Sequence, residues 1–335
     1  MTDLTLSHMS RANAFTFIDA AELDRLLEPR ELVAALRAKL REGECEMPVR
    51  HHHAIHGCAG VDGTLLLMPA WQRGRFLGLK SITVYPANSA LGLPTLMGFY
   101  VLINAQTGEL LAFMDAAALT AHRTAAASAL AATFLAREDA SRLLMIGTGA
   151  LAPYMIRAHA ATRPISHVAI YGRVADKAER MAALLANNRF ATSRARDIEV
   201  AVGEADIICC ATTANEPVLR GAWLKAGAHV DLVGAYTPNM REGDTDVIVR
   251  AKVYVDGRAG ALREAGDILI PLRQGAIKED HIAGDLFELT RDERAGRTSA
   301  TEITLFKSVG VAAEDIASAE LVLKATASTR RADGN

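Results

Sequence analysis

A glycine-rich turn carries the clearest chemical signal in this sequence. The turn, Gly147-Thr148-Gly149-Ala150-Leu151-Ala152, follows the apolar segment RLLMIG and precedes a predicted helix, ALAPYMIRAHAAT. In this strand-turn-helix setting the first glycine permits a tight turn, the second lets the backbone approach a pyrophosphate, and the alanine permits close helix packing. The helix N-terminus then faces the anion. We therefore predict a dinucleotide site that includes Gly147, Thr148, Gly149, Ala150 and Leu151.

The next predicted strand indicates which dinucleotide would bind. This strand, HVAIYG, leads into Arg173, and no acidic residue stands at its end. A carboxylate there would accept hydrogen bonds from the adenosine ribose and repel a ribose phosphate, whereas arginine offers phosphate a planar, permanently charged partner. We expect Arg173 to favour NADP(H), with NAD(H) as the alternative. A solvated arginine at a helix start would give the same pattern.

A polar turn after a third predicted strand adds a candidate cofactor contact. Ala211-Thr212-Thr213-Ala214-Asn215 follows the strand segment ADIICC. Ligands of α/β sheets bind at the carboxyl ends of the strands, so the Thr212 side chain is placed to touch a cofactor. Ordinary turn chemistry accounts for these residue types equally well.

Three basic residues stand out in the irregular first third of the chain. Arg50 follows Met47-Pro48-Val49, Lys80 lies in the otherwise apolar segment LGLKSITVYP, and Arg123 opens an alanine-rich helix. A buried lysine is costly unless it is paired or functional. An arginine at a helix N-terminus opposes the helix dipole unless an anion is held there. Arg123 therefore suggests a carboxylate site, although each residue alone is also typical of a solvated or ion-paired side chain.

A histidine run has the composition of a metal site without its spacing. The run, Arg50-His51-His52-His53-Ala54-Ile55-His56-Gly57-Cys58, has Cys45 upstream. Consecutive strand residues point to alternate faces, and no C-x-x-C or H-E-x-x-H pattern is present, so we expect no metal. Cys209 and Cys210 lie in an apolar strand and are predicted to be small buried hydrophobic residues.

Composition limits the class of protein in which these residues act. The chain has 335 residues, 50% of them hydrophobic and 23% charged, with a formal net charge of -2. Its length predicts two domains or one elaborated domain, and its charge gives no reason to expect nucleic acid or an anionic membrane as partner. The N-terminal segment lacks a leader pattern, and four cysteines make a poor disulfide framework. We expect a cytoplasmic protein with a small-molecule substrate.

The elements that must position these residues change in character along the chain. AAELDRLLEPRELVAALRAKLREG is predicted to be a helix, and TLLLMPAWQ, FLGLKSITVYP and GFYVLINAQTGELLAFMD to be an antiparallel sheet with a turn at Asn104 to Gly108. From Arg142 strands alternate with helices, as in a parallel, doubly wound sheet. Further strands are predicted in DIEVAV, ADIICCAT, HVDLVGAY and AKVYVD, and a last helix in EDIASAELVLKATASTRR.

Segments along nearly the whole chain resemble the ornithine cyclodeaminase/mu-crystallin family. They are Met47-Pro48-Val49-Arg50, Gly78-Leu79-Lys80, Leu119-Thr120-Ala121-His122-Arg123-Thr124-Ala125-Ala126, Gly147-Thr148-Gly149 and Thr304-Leu305-Phe306-Lys307-Ser308-Val309-Gly310. The resemblance implies an α/β homodimer. Residues 1–120 would form an α+β substrate and dimerisation domain, residues 121–304 a Rossmann domain, and residues 305–335 a segment returning to the first domain. It also implies that Arg50 and Arg123 grip a substrate carboxylate, that Lys80 lies beside the reacting carbon and nitrogen, and that the segment with Lys307 passes near the nicotinamide.

One departure from the family pattern selects among its chemistries. The family's cyclodeaminases carry an aspartate that handles the amine, and Tyr236 stands in its place. A phenol, with an ordinary pKa of about 10, cannot act as that carboxylate near pH 7. We therefore expect an NADPH-dependent ketimine reductase that converts pyrroline-2-carboxylate or piperideine-2-carboxylate to L-proline or L-pipecolate, with Lys80 keeping the imine nitrogen protonated or orienting the carboxylate. The alternatives are ornithine cyclodeaminase with NAD, an amino-acid dehydrogenase, and a non-catalytic NADPH-dependent binding protein.

Overall fold

Two β-sheets organise the chain in a computed structural model, which describes residues 16–57, 62–186 and 189–333. One unit comprises Met1–Leu27, Glu44–Thr120 and Ser318–Asn335, and the other comprises Glu28–Gly43 and Ala121–Ala317. This division differs from the expected one in two places. Residues 28–43 join the second unit because their helix packs on helices of that unit. The chain stays in the second unit to residue 317 because residues 304–307 form a strand of its sheet.

The first unit holds a seven-stranded sheet, a short helix, α1, Ala20–Leu26, and the part of the C-terminal helix that follows Ala317. Its strands are β1 Thr16–Ile18, β2 Cys45–Glu46, β3 His51–Ile55, β4 Gly63–Gln72, β5 Phe76–Val84, β6 Leu96–Asn104 and β7 Leu110–Asp115. The spatial order is β1-β7-β6-β5-β4-β2, with β3 also paired to β4. The predicted antiparallel hairpins are confirmed. In the turn after β6, the Gly108 N–H donates to the Asn104 carbonyl over 2.9 Å, and Gly108 has a φ of 75°, which glycine adopts without steric cost.

The second unit is built on an eight-stranded sheet in which every neighbouring pair is parallel. Its strands are β8 Arg142–Ile146, β9 His167–Tyr171, β10 Ala191–Arg194, β11 Ile207–Cys210, β12 His229–Leu232, β13 Lys252–Val255, β14 Ile282–Asp285 and β15 Thr304–Lys307. The spatial order is β10-β9-β8-β11-β12-β15-β13-β14. The order reverses between β8 and β11, which is the position where such sheets bind ligands. The predicted fold class, a doubly wound Rossmann sheet with a second α+β domain, is confirmed.

Helices flank this sheet, and its interior is strongly apolar. The helices that lie wholly or partly in the second unit are α2 Pro29–Glu42, α3 Ala116–Leu135, α4 Ala152–Thr162, α5 Ala175–Leu185, α6 Ile198–Glu204, α7 Thr245–Arg250, α8 Arg258–Glu264, α9 Gly266–Arg273, α10 Leu286–Thr290 and α11 Ala312–Asp333. Of α11, only the residues up to Ala317 belong to this unit. Strand residues such as Leu144, Ile208 and Val230 are fully buried in one core. These continuous apolar strands are typical of a parallel sheet covered on both faces. Within the described part of the chain, no helix is both long enough and apolar enough to cross a membrane.

Two local predictions were wrong, and capping explains both. The segment DIEVAV is helix α6 rather than a strand, because the Asp197 carboxylate accepts the Val200 N–H over 3.2 Å and starts a helix there. The first predicted helix is two helices, α1 and α2. The second begins at Pro29, where Glu28 accepts the Glu31 N–H, and proline is favoured at a first helical position but not inside a helix.

Candidate functional site

The predicted dinucleotide turn lies between the carboxyl end of β8 and the start of α4. Gly147 has a φ of 121°, and a Cβ there would lie 2.4 Å from the Ala211 carbonyl oxygen, so only glycine fits. A Cβ on Gly149, by contrast, would meet no heavy atom within 4 Å, which leaves room for a ligand against the backbone. No described side chain caps the N-terminus of α4. These features fit the pyrophosphate of a dinucleotide, since backbone N–H groups and the positive end of the helix dipole face the same space.

Arg173 lies in the loop between β9 and α5 and is exposed. The residue before it, Gly172, packs against the dinucleotide turn, because a Cβ there would lie 2.7 Å from the Thr148 side chain. The loops after β8 and β9 are therefore in contact. The arginine stands where an adenosine ribose is recognised in folds of this type, with no acidic residue between Tyr171 and Val174.

A buried glutamate missed by the sequence analysis joins the loops that follow β11 and β12. One Glu242 oxygen accepts hydrogen bonds from the N–H and the hydroxyl of Thr212, at 2.7 and 2.8 Å, and the other accepts the Gly234 N–H at 2.7 Å. Burial, helped by the Asp267 carboxylate and opposed by the Lys307 ammonium, raises the pKa of Glu242 to about 7. The Thr212 hydroxyl proton is therefore directed into the protein. In the sequence, Glu242 lies in a polar stretch, NMREGDTD, that is indistinguishable from a surface loop.

Lys307, the predicted cofactor contact on β15, lies in the same buried network. Its side chain is fully buried, and its Nζ is 3.0 Å from the Asp267 carboxylate. The other Asp267 oxygen accepts the N–H groups of Glu242 and Gly243 at 2.7 and 3.1 Å. The ammonium thus neutralises carboxylates beneath the strand ends, and a contact between Lys307 and a cofactor stays a prediction.

Arg123 lies inside α3, and the prediction that it opens this helix was wrong. The helix begins at Ala116, because the Asp115 carboxylate accepts the Ala118 N–H over 2.7 Å. The helix-end argument for an anion at Arg123 therefore does not apply. The guanidinium is instead 5% exposed and points at the first turn of α11, with Nη1 2.8 Å from Glu314 and Nε 3.2 Å from Asp315.

The surroundings of Arg123 are strongly charged and tightly packed. Burial opposes ionisation of the guanidinium, but the carboxylates of Asp315 and Glu314 outweigh it and raise the pKa of Arg123. Burial is also the main cause that raises the pKa of Glu314 to about 7; Arg123 opposes this shift, while Asp256 and Asp315 add to it. Gly310 closes the site from another side, since a Cβ there would lie 2.5 Å from Arg123 Nη1. Arg123 is therefore held in one place by charge and by contact.

In the first unit, Lys80 lies at the middle of β5, opposite Met68 of β4 and Tyr100 of β6. Its side chain is 1% exposed, on the face of β5 that also buries Ile82. Arg50 is half-buried just before β3. The burial of Lys80 agrees with its place in an apolar segment, and the roles of Lys80 and Arg50 in a substrate site stay predictions.

The histidine run occupies β3 and the residues just after it, and the four histidines of the run are exposed. The rings of His51 and His53 lie 6.0 Å apart in an edge-to-face arrangement, as expected for side chains on one face of a strand. Cys58 lies outside the described residues.

One buried group of metal-ligand types does occur in the described chain, inside the second unit. Asp231 of β12 accepts the Ser128 hydroxyl at 3.1 Å, lies 3.2 Å from His159 Nε2 and 3.6 Å from the Cys209 thiol, and the ligand atoms of His159, Cys209 and Asp231 lie within 4.8 Å of one another. Hydrogen bonds therefore connect the group. Cys209 and Cys210 are fully buried, as predicted, and burial raises the pKa of both thiols.

Tyr236 follows Gly234 in the loop after β12 and is half-buried. Burial raises the pKa of its phenol above the ordinary value near 10, so it is neutral at pH 7. At position 236 this loop therefore offers a neutral hydroxyl rather than a carboxylate.

Comparisons with known proteins agree with this arrangement of turn and sheets. The sequence pattern of the ornithine cyclodeaminase/mu-crystallin family matches residues 17–330. A Delta(1)-pyrroline-2-carboxylate reductase of Colwellia psychrerythraea is 40% identical over 313 residues, which cover 92% of this chain and 98% of that protein.

Two solved structures share the whole fold. One is Thermococcus litoralis Delta(1)-pyrroline-2-carboxylate reductase in complex with NADH and L-proline, with a TM-score of 0.89 and 31% identity, covering 93% of this chain and 98% of that one. The other is an archaeal alanine dehydrogenase dimer with bound NAD, with a TM-score of 0.87 and 29% identity, covering 94% and 97%. The resemblance seen in the motifs is confirmed: the chain belongs to the ornithine cyclodeaminase/mu-crystallin family.

Proposed function

We propose that this protein reduces a cyclic ketimine carboxylate with NADPH, forming L-proline from pyrroline-2-carboxylate or L-pipecolate from piperideine-2-carboxylate. The prediction of a nicotinamide-dependent imine reductase is confirmed at the level of enzyme class by the named reductases among its relatives. One observation carries the choice of reaction. Tyr236, a neutral phenol, stands where the family resemblance implies the carboxylate that cyclodeaminases use, while the dinucleotide turn is complete.

In this proposal the basic residues bind and orient the substrate. Arg50 and Arg123 hold its carboxylate, and Lys80 lies beside the imine, where its ammonium keeps the nitrogen protonated or orients the carboxylate. A protonated imine accepts hydride more readily than a neutral one, so a proton donor at the nitrogen favours the transition state. When bound, the nicotinamide supplies the hydride.

The preference for NADPH over NADH rests on Arg173. The arginine is exposed beside the dinucleotide turn and can form charge-assisted hydrogen bonds with a ribose phosphate. The backbone of Gly147 to Leu151 would hold the pyrophosphate, and the loop of Thr212 and the segment of Lys307 would lie near the nicotinamide half. The NADH in the Thermococcus litoralis complex makes NAD(H) the alternative cofactor.

We also propose a cytoplasmic homodimer. Aromatic rings form a row on the sheet of the first unit, with Phe113 stacked on Phe99 at 5.1 Å and beside Phe17 at 6.0 Å. Phe17 is 59% and Phe99 38% exposed. A contiguous apolar surface of this kind is typical of a protein interface.

A spectrophotometric assay tests the proposed reaction. Purified protein is mixed with NADPH and either pyrroline-2-carboxylate or piperideine-2-carboxylate, and the fall in NADPH absorbance is followed. We expect consumption of NADPH and formation of the L-amino acid, with no ammonia released from L-ornithine plus NAD in a parallel reaction. Ammonia release without imine reduction would refute the proposal and restore the cyclodeaminase alternative.

The structural similarity to an archaeal alanine dehydrogenase suggests a further reaction to test, the reductive amination of pyruvate. Pyruvate with ammonia and NADPH offers an open-chain imine, so turnover with this pair that exceeds turnover with both cyclic imines would make the protein an amino-acid dehydrogenase. Absence of turnover with every substrate would favour a binding protein.

A further inference from the structure

The substrate arginine of the proposed reaction is already in contact with carboxylates of its own unit. Glu314 accepts a hydrogen bond from Arg123 Nη1 at 2.8 Å, and an Asp315 oxygen lies 3.2 Å from Nε. Glu314 and Asp315 are 0% and 1% exposed, so water does not screen these charges. A substrate carboxylate that reaches this guanidinium becomes a further anion in the same buried space.

We propose that Glu314 is a positioning residue that acts through Arg123: it holds the guanidinium in the free enzyme, and it takes up one proton when a substrate carboxylate binds there. The inference rests on the proposed function, because it requires Arg123 to bind the carboxylate of the imino acid. It adds the uptake of a proton to substrate binding, and the hydride transfer itself does not require this proton.

Glu314 is better suited to accept this proton than a neighbouring carboxylate. Asp256, which follows β13, accepts the N–H groups of Val309 and Gly257 at 2.7 and 2.8 Å and also that of Gly310, and N–H donors of this kind favour an ionised carboxylate. Glu314, by contrast, accepts a hydrogen bond from a guanidinium that the substrate would share. Like charges at short distance in a buried site favour protonation of one partner.

The charged groups that face Glu314 within its unit set the direction of the effect. Arg123 of α3 favours its ionised form, while Asp256 and Asp315 oppose it together with burial, and the pKa of Glu314 is about 7. A bound carboxylate raises this pKa further. Binding therefore takes up a proton above about pH 7, and carboxylate affinity falls by up to about tenfold for each further pH unit. In the absence of this coupling, carboxylate affinity stays constant over the same range.

Calorimetry of an unreactive carboxylate measures the proton directly. The probe is pyrrole-2-carboxylate, a planar ring acid whose ring does not titrate near neutral pH. It is titrated at pH 8 into protein saturated with reduced cofactor, in two buffers that differ in ionisation enthalpy. The apparent heats give the number of protons taken up, and titrations at pH 6, 7 and 8 give the pH dependence of the dissociation constant.

We expect the wild-type protein to take up between half and one proton, and its dissociation constant to rise at least fivefold from pH 7 to pH 8. Glu314→Gln keeps the size of the side chain without the titrating group, so uptake should fall to near zero and the dissociation constant should become independent of pH. The matched control is Asp206→Asn, which removes another largely buried, ion-paired carboxylate of the same unit and should leave proton uptake unchanged.

The outcomes distinguish a failure of the role of Glu314 from a failure of the proposed carboxylate site. Binding by the wild-type protein without proton uptake overturns the role of Glu314 and leaves the carboxylate site intact. Uptake that persists in Glu314→Gln assigns the proton to another group and also overturns it. Absence of binding to the wild-type protein overturns the proposed function, and the role of Glu314 with it.

Discussion

Gly310→Ala tests the position of Arg123 without removing any charged group. Gly310 has a φ of 89°, and a Cβ at this position would lie 2.5, 2.7 and 3.0 Å from Nη1, Nη2 and Cζ of Arg123. Ordinary van der Waals contacts of a Cβ begin at about 3.4 Å, so the guanidinium must move by about 0.9 Å. A shift of this size breaks the alignment of a bidentate contact with a substrate carboxylate.

The size of the effect follows from the lost hydrogen bond. A hydrogen bond to a charged group contributes about 1.5–3 kcal/mol, which corresponds to about a tenfold to a hundredfold rise in the KM for the imino acid. The KM for the reduced cofactor should change less than about twofold. Steady-state kinetics with each substrate varied at saturation of the other measures both constants.

Gly275→Ala is the matched control for backbone strain. Gly275 also has a positive φ, 70°, but a Cβ there would meet nothing within 4 Å. Both variants should lose about 1–2 kcal/mol of unfolding free energy, because alanine is disfavoured in this region of backbone space. Only Gly310→Ala should raise the substrate KM. A normal KM in a folded Gly310→Ala protein, or an equal rise in both variants, would refute the assignment of Arg123 to the substrate carboxylate.

Three further predictions concern substitutions of charged residues in the second unit. Arg173→Ala should lower the ratio of kcat/KM with NADPH to kcat/KM with NADH by about tenfold, because it removes a charge-assisted phosphate contact; an unchanged ratio would place the phosphate elsewhere. Although burial opposes ionisation, Lys225 and backbone N–H groups lower the pKa of Asp206 to about 2. Asp206→Asn should therefore cost about 2 kcal/mol of unfolding free energy at pH 7, and this deficit should shrink as the pH falls from 4 to 2, as followed by chemical denaturation. Lys307→Met should lower the unfolding free energy of the cofactor-free protein by about 3–5 kcal/mol, because it leaves Asp267 buried without its ammonium; a weaker cofactor affinity at unchanged stability would show instead that Lys307 acts on the cofactor.

The dinucleotide turn could be predicted from sequence because its requirements are local. Gly147 must adopt a positive φ and lie against a backbone carbonyl, Gly149 must leave open space, and Ala152 must be buried, and each condition selects a small residue at a fixed spacing. The parallel sheet was predictable for a similar reason, since strands such as β8 and β11 are continuous apolar runs.

The surroundings of Arg123 could not be predicted in this way. Its hydrogen-bond partner Glu314 is 191 residues away in sequence, and no local pattern joins the two. The true start of α3 depends on the side chain of Asp115, one residue before a long alanine-rich stretch in which several starts are compatible with the sequence. Glu242 was missed for the same reason as Glu314, because burial of a glutamate in a polar stretch depends on the loops that fold over it.

Two sets of charged residues in the second unit differ in their burial. At the amino ends of the strands, the ion pairs of Asp206 involve Arg137 and Lys225, whose side chains are 24% and 32% exposed. Near the carboxyl ends, Arg123, Glu314, Glu242, Asp267 and Lys307 are 5% exposed or less. A buried ion pair gains little over well-packed apolar residues of the same size, because desolvation offsets the attraction between the charges. Five such groups on the side of the sheet that carries the dinucleotide turn therefore agree with the proposed binding of a charged substrate and cofactor at this side.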